Sequence, residues 1–122
     1  MEKIILFNTE PETEEFITKC AANMRIKTVS AAPEMYTETL ESIAGNGTAR
    51  ENVGASSMLP EGTGSLMLMC GLSDKHMDRL LAKLRQSVMK VDYKAVLTPT
   101  NSKWTLKRLI FEMEREKKAL GG

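Results

Sequence analysis

Cysteine and histidine are nearly missing from this 122-residue chain, which has only Cys20, Cys70 and a single histidine, His76. Two cysteines do not make a disulfide scaffold. A structural zinc site takes four Cys or His ligands as a rule, and three such residues cannot supply them. No metal and no cofactor are expected. One histidine leaves little room for His-based catalysis beyond a formal Cys70–His76 pair. Aromatic residues are scarce at 5%, and Trp104 is the only tryptophan. No apolar run approaches the roughly 20 residues needed to span a bilayer. The apolar run in "MEKIILF" is too short for a secretory signal. The expectation is a cytoplasmic protein with no membrane partner. Also absent are G-x-G-x-x-G, G-x-x-x-x-G-K-[ST], G-x-S-x-G and H-E-x-x-H. "TNSK" at 100–103 fits [ST]-x-x-K, a pattern short enough to arise by chance.

What remains is an ordinary globular balance, 42% hydrophobic and 27% charged. The length favours one domain over 1–122, long enough to bury a core without disulfides or metals. Net charge is +1 but unevenly spread. Residues 1–50 carry five Lys or Arg against eight Glu, while residues 65–111 carry nine Lys or Arg against three Asp. Such asymmetry permits an anionic partner without demanding one.

Two halves follow one plan. In the first, residues 1–45, "KIILF" is a continuous apolar run, as in a strand buried on both faces. Thr9 is placed to cap the next helix, with Pro11 in its first turn and Glu12 three residues after the cap. Phe16, Ile17, Cys20, Ala21 and Met24 share its inner face. "IKTVSA" reads as a second, less apolar strand. Pro33 opens a second helix with Tyr36, Leu40 and Ile43 inward and Gly45 as its C-terminal cap. In the second half, residues 65–122, "SLMLMC" is another apolar strand. "GLSDKHMDRLLAKLRQSVMK" is a helix capped by Ser73, with acids early and bases late as the helix dipole favours. Met77, Leu80, Leu81, Leu84 and Val88 form its stripe. "YKAVLT" is the fourth strand, and Asn101 or Ser102 caps the last helix, with Leu106, Leu109, Ile110 and Met113 inward. Between the halves, 46–64 is rich in Gly, Ser and Asn without periodicity and reads as a flexible loop, either linker or lid.

Alternating strands and helices favour parallel pairing with right-handed crossovers. With the two most apolar strands central, the expected fold is a small three-layer α/β/α sandwich of two βαβα halves. Its four mostly parallel strands run in the order 2-1-3-4. The first helix would lie on one face, the second and third on the other, and the fourth would return to the first. Ligands in open α/β sheets gather where the strand order reverses, here between strands one and three. The rim there would gather Asn8, Thr9, Cys70, Gly71 and Ser73, with Thr98, Thr100, Asn101 and Trp104 as a further wall. Helix N-termini at Thr9 and Ser73 would present free N–H groups to an anion.

Every one of these residues has a plainer role. Thr98 and Pro99 can simply end a strand, Asn101 and Ser102 can be caps, and Trp104 can be core packing. Cys70 can have a lowered thiol pKa beside a helix N-terminus or can be inert core. Lys75, Arg79 and Lys83 lie along one helix side at spacing four, an ordinary solvated stripe. A phosphoacceptor pocket needs acids at the first and third strand ends, where this chain carries Asn8 and Cys70.

The segment from "LMLMCG" through "KAVLTPTN" to Trp104 and the helix after it resembles a small bacterial family known only as a domain of unknown function, DUF3783-like. The likeness is strongest over 66–113. Residues before it are similar to the N-terminal extension such proteins carry. The resemblance implies a bacterial cytosolic protein and supplies no activity. Four functions follow from the residues. The first is a non-catalytic module binding an anionic small molecule at the rim. The second is a nucleic-acid-binding protein using Lys75, Arg79, Lys83, Lys103, Lys107 and Arg108. The third is a protein–protein adaptor, including a homodimer through a sheet edge. The fourth is a thiol enzyme using Cys70.

Overall fold

The computed structural model describes residues 2–46 and 63–119. Most of the loop expected over 46–64 therefore lies outside the described residues. The elements are β1 (Lys3–Phe7), α1 (Pro11–Asn23), β2 (Lys27–Ala31), a 3₁₀ helix (Pro33–Thr37), α2 (Leu40–Asn46), β3 (Leu66–Cys70), α3 (Asp74–Gln86), β4 (Tyr93–Val96) and α4 (Leu106–Ala119). Both halves enter one four-stranded sheet in the order β2-β1-β3-β4. The apolar runs β1 and β3 are central, and every residue of β3 is buried. Edge strand β4 alternates half-buried and exposed residues.

The sheet is mixed, where mostly parallel pairing was expected. β1 pairs β2 in parallel and β3 pairs β4 in parallel. β1 meets β3 antiparallel, with Lys3 opposite Cys70, Ile5 opposite Leu68 and Phe7 opposite Leu66. This reversal also redistributes the helices. A right-handed crossover from β1 leftward to β2 and one from the oppositely directed β3 rightward to β4 put their helices on the same face. Accordingly α1 and α3 share a core with Ile4, Leu6, Met67 and Met69, built on Ile17, Ala21, Leu80 and Leu84. The 3₁₀ helix, α2 and α4 cover the other face against Ile5, Phe7, Leu66 and Leu68. The expected split, with the first and fourth helices on one face, is thereby corrected.

The halves are related by an approximate two-fold axis normal to the sheet through the Ile5–Leu68 pair. The sequence carries the same relation in "PEMYTETL" (33–40) and "PTNSKWTL" (99–106), which share Pro, Thr and Leu at equal spacing. Thr39 and Thr105 form an antiparallel bridge. Leu40 N–H donates to Trp104 O at 2.8 Å, and Leu106 N–H to Glu38 O at 3.0 Å. Each threonine caps its helix, Thr39 Oγ1 accepting from Ser42 N–H at 3.3 Å and Thr105 Oγ1 from Arg108 N–H at 3.1 Å. Leu40 and Leu106 are both fully buried, each contributing about 2 kcal/mol of apolar burial.

Several local expectations shift. Pro33 begins a 3₁₀ helix that stops at Thr37, and α2 starts afresh at Leu40, because the Thr39–Thr105 bridge interrupts helical hydrogen bonding. Gly45 lies inside α2 and is not its C-terminal cap. Glu10, not Thr9, stands at the N-cap of α1, with Pro11 in the first turn. Thr105 replaces Asn101 and Ser102 as the cap of α4. Ser73 caps α3 as expected, accepting from His76 N–H at 3.2 Å. The helix ends at Gln86, which leaves Val88 87% exposed outside the buried stripe.

α1 closes with a Schellman turn, Ile26 N–H to Ala21 O at 2.9 Å and Arg25 N–H to Ala22 O at 3.0 Å. Arg25 sits there at φ 59°, a left-handed conformation costing a non-glycine residue roughly 1 kcal/mol. Arg25→Gly is expected to raise unfolding stability by about 0.5–1 kcal/mol. Urea denaturation checks this, and a loss of stability would show that the arginine side chain contributes more than the strain costs.

Candidate functional site

The antiparallel β1–β3 ladder splits the expected rim between opposite ends of the sheet. Asn8 and Thr9 follow the C-terminal end of β1, next to the start of β3. Cys70, Gly71 and Ser73 follow the far end of β3, about 16 Å away, the length of a five-residue strand. Because β4 runs parallel to β3, Thr98, Thr100 and Asn101 do share the rim with Gly71 and Ser73. Asn8, at φ 57°, donates through Nδ2 to Thr63 O at 2.8 Å. Thr9 Oγ1 donates to Glu14 Oε1 at 3.5 Å.

At the β3–β4 rim, Ser73, His76, Thr98 and Asn101 are already hydrogen-bonded within the protein. The Glu2 carboxylate accepts from Ser73 N–H at 2.9 Å and lies 2.7 Å from His76 Nδ1. The N-terminus of α3, the expected anion site, therefore holds an anion supplied by the chain itself. The Ser73 N–H and then His76 hold the Glu2 carboxyl below its usual range. Gly71 leaves β3 at φ 69°, in the left-handed region.

The stretch 98–104 is a closed turn. Asn101 Oδ1 accepts from Thr98 N–H at 2.8 Å, and Thr98 Oγ1 accepts from Asn101 N–H at 3.1 Å. Asn101 Nδ2 donates to Val96 O at 3.0 Å. Ser102 Oγ donates to Pro99 O at 3.2 Å. Thr100 is exposed in this turn. The asparagine thus ends β4 and aims the chain at the Thr39–Thr105 bridge. Trp104 packs against the core with the Arg108 guanidinium 4.4 Å from its ring.

Cys70 lies 5% exposed in the core. Burial pushes its thiol up to about 11, against a smaller opposing pull from Lys3. A thiol of that kind stays protonated at neutral pH and is a poor nucleophile. Among the described residues, no three His, Cys, Asp or Glu side chains gather as a metal site, and no helix is long and apolar enough to cross a membrane.

The six basic residues proposed for nucleic acid fall on different faces. Lys75, Arg79 and Lys83 belong to α3, while Lys103, Lys107 and Arg108 belong to α4 or its approach. The sheet separates these two layers. Lys103 also pairs with Glu41 at 3.6 Å across the two-fold axis.

A different cluster emerges at the β4 edge. A groove of about 570 Å³ has a floor of Leu81, Leu84, Met89 and Val91, and Arg85, Lys90, Lys94 and Lys117 stand around it. Its one acid among the described residues, Asp92, is engaged by Ser65, accepting from the backbone N–H at 2.8 Å and from Oγ at 3.1 Å. Among the described residues, Arg85, Lys90 and Lys94 have no carboxylate partner within ion-pair distance. Lys117 lies over the Tyr93 ring at 5.9 Å. Arg85, Lys90 and Lys94 arrive from the end of one helix, the following loop and the next strand, and Lys117 comes from the end of α4. Sequence spacing therefore gave no sign of the cluster.

Residues 65–120 match the model of a family described as a domain of unknown function (DUF3783). No curated protein and no solved structure matches the chain.

Glu2→Gln is expected to destabilise the neutral-pH fold. The Glu2 pKa is lowered by folding, so its contribution is present above the unfolded value and lost as pH falls through the folded one. Melting curves of both proteins should converge as pH drops below the carboxylate range, and a gap unchanged by pH would contradict the linkage. Asn101→Ala is expected to cost about 0.5–1.5 kcal/mol by removing the side-chain hydrogen bonds to the exposed Thr98 N–H and Val96 O. Equal melting temperatures would show that water replaces the side chain at no cost.

Proposed function

We propose that this chain, whose second half is a DUF3783-like domain, is a non-catalytic binding module that receives an anionic partner in the groove along β4. The observation that carries this reading is the convergence of Arg85, Lys90, Lys94 and Lys117 around one groove whose only carboxylate among the described residues is already engaged. Like charges held close repel one another, an expense that a bound anion relieves. The apolar floor lowers the local dielectric and strengthens each attraction. No metal or cofactor enters the reading.

The rim residues Gly71, Ser73, Thr98 and Asn101 take part as supports for the β3 and β4 ends rather than as ligand contacts. Glu2 already occupies the Ser73 N–H at the head of α3, which lessens what an incoming anion would gain there. Cys70 serves as core, not as a nucleophile. The proposed setting is the cytoplasm, where two free thiols, Cys20 and Cys70, remain reduced.

Inorganic polyphosphate is a suitable first probe, since it offers anionic charge and nothing else. It is expected to raise the melting temperature and to bind less tightly at 200 mM than at 50 mM salt. The exposed double replacement Lys90→Gln/Lys94→Gln should weaken binding by about tenfold, the effect of losing one or two charge-assisted contacts. Binding that ignores salt, or that survives the double replacement unchanged, would end this reading.

A further inference from the structure

We infer that the outward face of α4 is a base-stacking surface for single-stranded nucleic acid, continuing the β4 groove; the inference rests on the anionic-partner reading of that groove. Leu106, Leu109 and Ile110 are buried beneath the helix. At 3.6 residues per turn, Lys107, Arg108, Phe111, Arg115 and Lys118 fall within one outward arc of about 100°. The three acids of α4, Glu112, Glu114 and Glu116, fall outside that arc. Four cations therefore surround one ring, and the ring stands at the middle of the arc.

Phe111 is 57% exposed. Single exposed apolar residues are ordinary on protein surfaces, and what sets this ring apart is the arc of cations in which it stands. Arg115 reaches to 6.0 Å from that ring, and Arg108 lies 4.4 Å from the Trp104 ring just before the first turn of α4. Rings and guanidinium planes alternate along the helix. Phe111, the exposed ring of this series, offers a flat surface to an unstacked base, while the charges meet phosphates. Glu112 steadies the two arginines at 4.0 and 3.6 Å. These are exposed ion pairs, weak enough to yield to a phosphate. Lys117, beside Lys118, turns instead to Tyr93 and the groove. The two cationic surfaces thus adjoin at the end of α4.

A duplex hides its base faces and would leave Phe111 without a partner. A membrane surface would gain little from a single ring, because the apolar stripe of α4 already faces the core. A single strand uses both features at once.

The whole chain would be titrated with fluorescein-labelled 12-nucleotide oligouridylate and oligothymidylate, a 12-base-pair duplex, and inorganic polyphosphate. Fluorescence anisotropy reports affinity, and emission from Trp104, the only tryptophan, reports the approach of a base. The single strands are expected to bind more tightly than the duplex and to quench Trp104. Their log affinity should fall with log salt at a slope of roughly −3, as for about four neutralised phosphates. Phe111→Ala, at an exposed position, should weaken the single strands on the order of tenfold and leave polyphosphate binding unchanged. The stronger of the two strand arms identifies RNA or DNA as the source. Polyphosphate binding without quenching, with oligonucleotides indifferent to Phe111→Ala, would overturn the stacking surface while the groove reading stands. Equal or tighter binding of the duplex would also overturn it. Failure of every probe to bind would overturn both.

Discussion

The antiparallel pairing of β1 with β3 is the constraint on which the rest of the fold depends. Lys3 opposite Cys70 and Phe7 opposite Leu66 set two parallel strand pairs back to back. Crossover handedness then puts α1 and α3 on one face. The other face is left for two equivalent segments that meet at Thr39 and Thr105. Exchange of backbone hydrogen bonds between Leu40 and Trp104, and between Leu106 and Glu38, joins the halves a second time, beyond the sheet itself. One contact is a main-chain ladder and the other an isolated bridge flanked by the fully buried Leu40 and Leu106, so the relation between the halves is held by backbone geometry rather than by surface charge.

The same reversal governs where binding chemistry can gather. In a parallel sheet the ends of the two central strands would share a rim with two helix N-termini. Here they point apart, and the α3 N-terminus is filled by Glu2. The polar stretch 98–104 has a structural occupation as well. It ends β4, closes a turn through Asn101 and delivers Trp104 to the two-fold axis. Cationic side chains collect elsewhere, around the groove at the β4 edge and along the outward arc of α4. The acidic balance of residues 1–50 and the basic balance of 65–111 show how two copies of one architecture can carry different surfaces.

Much of the fold was legible in the residues. The continuous apolar runs of β1 and β3 marked them as central, since only strands covered on both faces tolerate such composition. The thinner patterns of β2 and β4 marked the edges. Ser73 at the head of an amphipathic stretch marked α3, and that cap is present. Val88 matched the stripe by spacing but lies past the helix end, because Ser87 turns the chain there, its Oγ donating to Leu84 O at 2.8 Å. The division of the segment after Pro33 into a 3₁₀ helix and α2 was not legible, because the bridge that divides it is formed with Thr105, 66 positions away. The candidate site was less legible still. Its four cations come from separate elements, and no linear pattern joins Arg85 to Lys117.

By itself, then, the sequence determined the class of fold, the number of strands, their lateral order and the inner face of most helices. Each of these follows from local periodicity and from how much apolar surface an element must bury. Strand direction across the centre was decided only by tertiary structure, because a strand buried on both faces has the same composition whether its neighbour runs with it or against it. The faces taken by the helices and the cations that come to share a groove follow from that direction, so they too waited on the assembled sheet.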